Sequence, residues 1–172
     1  MAGKKSPSVT LTPAQTLDRT YFVNHLVEGG VNRAESVGEE LAGKGINVSR
    51  GLNLAGFSAP GVVPIGNADP SVLDRTGSSS FLTPLWVEGT LRVSTTIIEK
   101  DGPTTKVNES PRPLKQADWN AVVKMTEETV IANEATWLVV AGAHPEIIEP
   151  GKVIDLHPLF ERMEKLGVRV IL

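Results

Sequence analysis

The chain has no cysteine, which excludes disulfides, thiolate metal sites and a cysteine nucleophile. Aromatic residues are scarce, at 5% of 172 positions. No basic stripe runs between them, so the stacking platforms that hold single-stranded nucleic acid are missing. Positive charge is in the minority. The 17 Lys and Arg against 20 Asp and Glu leave a formal net charge of −3, and no overall field gathers polyanions. No basic block extends beyond the pair Lys4-Lys5. No apolar run approaches the roughly 20 residues of a membrane helix. The stretch from Met1 to Pro7 is not followed by the apolar region of a signal peptide. The expectation is a protein of the reducing cytoplasm, with no membrane and no nucleic-acid partner.

Familiar catalytic patterns are also missing. His25, His144 and His157 show no metal-ligand spacing and read as residues of surface turns or helix edges. Asp155 and His157, two apart on an expected helix, do not share a face. No Gly-x-Ser-x-Gly elbow is present. Asn47-Val48-Ser49 and Asn108-Glu109-Ser110 match glycosylation sequons, which carry no meaning without secretion. Trp86, Trp119 and Trp137 read as core or interface residues.

What is present is globular: 40% hydrophobic and 22% charged residues, at a length suited to one domain. Short β-rich runs open the chain, at residues 8–12, 21–23 and 31–37, the last after Gly29-Gly30. Val48, Leu52 and Ala55 recur at helical spacing over 47–55, with Gly56 as a stop. Residues 61–66 read as a buried strand in which Pro64 argues for an edge or an end. Residues 71–75 read as a helical turn. Residues 91–99 are dense in β-branched side chains and turn through Lys100-Asp101-Gly102-Pro103 into 104–108, a hairpin. A helix over 116–132 presents Trp119, Val122, Val123, Thr126 and Val130 on one side. The apolar run 136–140 suits a strand covered on both faces. A helix over 154–166 turns Leu156, Leu159, Phe160 and Met163 inward, and a strand over 168–172 follows. Alternating helix and strand after Gln116 imply a parallel sheet, to which the earlier hairpins do not belong. The last strand is apolar and would leave an open edge.

The stretch Gly38-Glu39-Glu40-Leu41-Ala42-Gly43-Lys44-Gly45 nearly matches a phosphate-cradling P-loop. Gly45 stands where that loop needs a Ser or Thr for Mg²⁺, and Glu39 and Glu40 repel phosphate, so this reading is rejected. The same atoms offer a different site. Gly43 and Gly45 let backbone amides approach a ligand, Asn47 can donate and accept toward a hydroxyl, and Lys44 can meet a phosphate as a point charge. The helix N-terminus adds positive potential. A glycine turn into an ordinary helix accounts for the spacing equally well.

The order of several segments is more specific than any one of them. They are Leu17-Asp18-Arg19-Thr20-Tyr21-Phe22-Val23, Val31-Asn32-Arg33-Ala34-Glu35, and Gly43-Lys44-Gly45-Ile46-Asn47-Val48-Ser49-Arg50. Arg92-Val93-Ser94, Asp101-Gly102 with Thr104-Thr105, and Val107-Asn108-Glu109 follow. This series resembles the N-terminal half of the bacterial 1-phosphofructokinase family, in the phosphofructokinase B branch of the ribokinase-like sugar kinases. The resemblance runs from Val9 to Leu172. It implies an α/β fold, a ribokinase-like three-layer αβα sandwich, here partial, with a small β-sheet lid. The lid strands would lie at about 19–37 and 90–109, and residues 1–172 would form the substrate-binding part of the domain. It implies ATP and Mg²⁺ as cofactors and phosphoryl transfer to fructose 1-phosphate, giving fructose 1,6-bisphosphate. Tagatose 6-phosphate and fructose 6-phosphate are the alternative substrates. By the same resemblance Asp18 binds sugar hydroxyls, Gly43 and Asn47 line the sugar, and Lys44, Arg33 and Arg92 hold the phosphate. A homodimer through the lid strands is a further implication.

The sequence departs from the family pattern. Ala14-Gln15-Thr16 stands where an Asn-Pro step precedes the aspartate, Ala42 replaces the first of two glycines, and Ser94 replaces an Asn. Ala141-Gly142-Ala143-His144-Pro145 replaces a hydroxyl-bearing substrate turn. The Gly-Ala-Gly-Asp-like motif that carries the family's catalytic base is absent from these 172 residues. Phosphoryl transfer depends on such positioning and charge, so the chain alone is expected to be inactive. A non-catalytic sugar-phosphate-binding or dimerising remnant is the competing reading.

Overall fold

The computed structural model describes residues 8–172. The Lys4-Lys5 pair and the N-terminal segment discussed above lie outside the described residues. The elements are β1 (Ser8–Leu11), β2 (Thr16–Val23), β3 (Ser36–Ala42), α1 (Lys44–Leu54), β4 (Gly61–Gly66), α2 (Val72–Arg75) and β5 (Leu82–Val87). Then come β6 (Val93–Glu99), β7 (Thr104–Asn108), α3 (Gln116–Ala132), β8 (Trp137–Val140), α4 (His157–Lys165) and β9 (Arg169–Ile171). Five strands form a parallel sheet in the order β5-β4-β1-β8-β9. Four form the lid sheet, in the order β3-β2-β6-β7. Its two hairpins are antiparallel, but they join through a parallel pairing of β2 with β6.

Two apolar clusters hold the layers. Val9, Leu11, Val62, Leu138 and Val140 meet Trp119, Val122, Val123 and Val130 of α3 and Leu159 and Met163 of α4. Spacings of three and four along α3 place these residues on one stripe, and the hydroxyls of Thr126 and Thr129 donate to the carbonyls of Val122 and Met125. A second cluster joins Val63, Ile65 and Leu82 of the sheet to Ile46, Val72 and Leu73, and to Leu17, Leu41 and Leu91 at the root of the lid.

Strand β4 is buried throughout and lies inside the sheet, yet it contains Pro64. The Gly61 N–H points toward β5, donating to Phe81 O at 2.8 Å. By alternation the Pro64 nitrogen faces β1, whose last pair with β4 is Leu11 with Val62. Pro64 therefore sits where β1 has already ended, and no ladder bond is lost.

Several expectations need correction. The strand expected over 31–37 begins at Ser36 and runs to Ala42. The Asn32 side chain instead bonds Val27 N, Val27 O and Gly30 O, and such local bonding competes with a strand. The lid strands thus span 16–42 and 93–108 rather than 19–37 and 90–109. Helix α1 starts at Lys44, three residues earlier than expected, and α4 is trimmed to His157–Lys165. Strand β5 was not anticipated, because Pro84 interrupts its pattern. Trp86 and Trp137 do not join Trp119 in the core: Trp86 is 40% exposed. Strand β8 is covered fully on one face only. Helix α1 packs over β1 and β4, leaving Trp137 and Val139 half-buried on that side. The Arg169 guanidinium of β9 lies 4.3 Å from the Trp137 ring centroid.

Candidate sugar-phosphate site

The chain runs from β1 outward to β4 and β5 on one side, then returns to place β8 and β9 on the other. Helix α1 covers one face of the sheet, and α3 and α4 cover the opposite one. Ligands of open α/β sheets bind beyond the strand C-termini at such a reversal, here the ends of β1 and β8. Three turns meet there. Ala141 N donates to Leu11 O at 3.1 Å, and Gly45 N donates to Ala141 O at 3.3 Å. A Cβ added to Gly142 would stand 4.0 Å from Lys44 N.

The N-terminus of α1 opens at this junction with no side-chain cap. Gly43, at φ 151°, is in a region that favours glycine. Gly45 has a different reason. A Cβ there would lie 2.5 Å from Thr12 Oγ1 and 2.7 Å from Leu11 O, so glycine lets the helix seat directly on β1. The Thr12 hydroxyl is buried under this contact and has no hydrogen-bond partner among the described residues. Lys44 and Asn47 are exposed on the first turn.

The four-stranded sheet carries Asp18. Asp18 lies in register with Glu40 on one side and Ser94 on the other, and Thr16 donates to Ser94 at 2.9 Å. Burial, and next the charge of Glu40, push the Asp18 carboxyl above its ordinary range, while Thr16, Lys106 and Arg92 oppose them. Arg92 Nε donates to Glu109 O at 2.7 Å.

A carboxyl whose pKa rises on folding adds stability below its unfolded value, and that contribution is lost as pH rises through the folded value. Ionised Asp18 is therefore a cost at neutral pH. Asp18→Asn is expected to melt above the parent at pH 7, with the gap closing toward pH 3. Circular-dichroism melts across that range check this, and a variant melting below the parent at pH 7 refutes it.

The structure brings Asp18 and Arg92 together on the lid, and Gly43, Lys44 and Asn47 together at the start of α1. Arg50 links the two groups. Its guanidinium donates to Asn47 Oδ1 at 3.0 Å and to Leu41 O at 2.5 Å, and pairs with Glu40 at 2.6 Å. Arg33 is exposed on the 24–35 connection, whose Asn32 and Ala34 line a hollow with Tyr21, Val23 and Ile97. Those three strand residues alternate with Asp18, so the hollow is on the other face of the lid. Sequence reasoning missed Arg50 and Lys106. The i,i+3 spacing from Asn47 was a signal for the first; the second needed the β6–β7 register.

No protein-family model matches the chain. Over 154 residues it is 27% identical to the 1-phosphofructokinase of Escherichia coli K12, covering 88% of this chain and 48% of that enzyme. The chain is similar to half of a 1-phosphofructokinase. The Vibrio cholerae 1-phosphofructokinase is 26% identical over 149 residues, covering 86% of this chain and 46% of its own length. The chain thus spans about half the length of the curated relatives it matches. Among solved structures, phosphofructokinase-2 from Escherichia coli in complex with fructose-6-phosphate superposes with TM-score 0.73 at 24% identity, over 95% of this chain and 53% of that one. A putative phosphofructokinase from Staphylococcus aureus gives TM-score 0.78 at 22% identity, over 95% and 51%. The fold is the ribokinase-like αβα sandwich, present in part, with its β lid.

The likeness to 1-phosphofructokinase raises the question of ATP and Mg²⁺. Among the described residues no group of three or more His, Asp or Glu is placed to hold a metal ion. Gly43 and Gly45 lie so close to Thr12 that a Cβ at either would clash with its side chain.

Proposed function

We propose that this chain is the sugar-phosphate-binding part of a 1-phosphofructokinase-type kinase, with fructose 1-phosphate as ligand. The observation that carries the reading is Asp18 on the lid, within the field of Lys106 and Arg92, beside Glu40, whose partner Arg50 also holds Asn47 on the uncapped first turn of α1. Asp18 accepts hydrogen bonds from sugar hydroxyls. Gly43 and Asn47 line the ring, and Arg92, Lys106 and Lys44 hold the phosphate by charge. Arg33 stays in the phosphate set on the strength of the resemblance alone. The catalytic aspartate, ATP and Mg²⁺ belong, on this reading, to a downstream half. The chain alone binds sugar phosphate in a cytoplasmic setting and does not turn it over.

Two observations favour variants of this reading. A structural neighbour is described in complex with fructose-6-phosphate, which makes that sugar the first alternative, ahead of tagatose 6-phosphate. The turn at Ala141 to His144 lacks side-chain hydroxyls, which suits a binding remnant without catalysis. A homodimer through the lid also fits, since Phe22, Val37 and Val107 are exposed there.

Titration calorimetry of the chain with each of the three sugar phosphates tests the assignment. Saturable binding of fructose 1-phosphate is expected. Asp18→Ala should weaken it about 10- to 100-fold, the loss of hydrogen bonds to a charged group. A chain that unfolds cooperatively yet binds none of the three would sink the proposal.

A further inference from the structure

Glu39 and Glu40 are adjacent on β3, so their side chains leave opposite faces of the lid. Each is met by an arginine from a different helix of the core domain. On one face Arg75, the last residue of α2, donates to Glu39 Oε2 at 2.8 Å, while Arg19 of β2 takes Oε1 at 2.7 Å. Arg75 is itself fixed by Asp69 at 2.7 Å and Ser71 at 3.2 Å. The two arginines hold the Glu39 carboxyl below its ordinary range. On the other face Arg50 of α1 pairs with Glu40 at 2.6 Å. Glu40 shares the face of Asp18 and Glu39 leaves the opposite one, and neither carboxylate is a phosphate contact.

The lid needs such a restraint. Its apolar attachment to the core is at one end, through Leu17, Leu41 and Leu91. Its far strand β7 is exposed at every position. A sheet held along one margin can tilt toward either face. A bond from α2 on one face resists tilting one way, and a bond from α1 on the other resists the reverse.

We propose that Glu39 and Glu40, closed by Arg75 and Arg50, form a two-sided ionic clasp that fixes the tilt of the lid and so sets the position of Asp18 relative to the first turn of α1. Arg75 is a positioning residue on this account, since its recorded partners are Glu39, Asp69 and Ser71. Arg50 cannot serve as the test position, because it also holds Asn47. The effect on ligand affinity rests on the function proposed above; the effect on the lid does not.

Hydrogen exchange of the full chain, read by mass spectrometry, separates the two. Arg75→Gln and Glu39→Gln should each speed exchange in peptides over 16–42 and 93–108 by about two- to fivefold, the size of partly exposed ion pairs. Peptides from α3 and β8 should stay unchanged, and the double variant should add nothing to Glu39→Gln, which already frees both Arg75 and Arg19. Arg75→Lys should recover part of the protection, and 0.5 M salt should speed lid exchange in the parent more than in Arg75→Gln. Affinity for fructose 1-phosphate should fall by a similar factor. Lid exchange indifferent to Arg75→Gln, Glu39→Gln and salt overturns the clasp. Lid exchange that responds in a chain that binds no sugar phosphate upholds the clasp and rejects the function.

Discussion

Trp119→Ala is expected to lower the unfolding free energy by about 3–5 kcal/mol. The indole is 2% exposed, in the cluster where α3 and α4 meet the parallel sheet. Truncation removes a large apolar surface and leaves a cavity that neighbours from three elements cannot jointly collapse into. It also removes the donor that bonds Asp155 O at 2.9 Å, just before α4, so the carbonyl loses a partner. A domain of this size loses roughly 2–4 °C of Tm per kcal/mol, which makes the expected drop about 10 °C. Total stabilities are about 5–15 kcal/mol, so this one change consumes a large share. Trp86→Ala is the control: at 40% exposure it should cost far less. Urea unfolding followed by circular dichroism measures both, and equal losses would contradict the core described here.

The second large effect is expected at Gly45. Alanine there puts a methyl against the Leu11 carbonyl and the Thr12 hydroxyl, both belonging to β1 and its exit turn. The backbone oxygen cannot rotate away, so α1 must lift from the sheet. Overpacking of this kind costs about 1–3 kcal/mol. The functional loss should be larger than the stability loss, because Lys44 and Asn47 ride on the same turn. Gly51→Ala, in the same helix, meets nothing within 4 Å and should stabilise by up to about 1 kcal/mol, the helix-propensity gain. The pair of melts, with sugar-phosphate titrations beside them, distinguishes helix seating from helix propensity. If both variants melt alike, the close contact is not real.

The elements legible in the sequence were those set by local pattern. Helix α3 was read at its observed bounds, because 17 residues of clean periodicity outweigh boundary noise. The β6–β7 hairpin was announced by its turn chemistry, and β8 by its apolar run. The limits of the lid were not legible. Residues 31–37 follow a Gly-Gly turn and are bounded by Val31 and Val37, which suggests a strand, but the Asn32 side chain ties the start of that segment into a loop. Strand β5 was hidden because Pro84 reads as a breaker. Asp18 and Asn47 are proposed for the site from the ordered motifs. From the sequence alone Glu39 and Glu40 read as residues that repel phosphate. Besides Arg19 across the hairpin, their arginine partners come from α1 and α2, and no spacing along the chain announces that meeting.

The parallel join of β2 to β6 pairs Leu17 with Val93, and this bears on how the molecule assembles. Closing so long a loop costs entropy that no local contact repays beforehand. The β2–β3 hairpin can form alone, but it keeps an unpaired edge until β4, α2 and β5 have been made and β6 arrives. During synthesis that edge waits for most of half the chain. The segment that reads earliest as a substrate grip is therefore among the last to acquire its native neighbours.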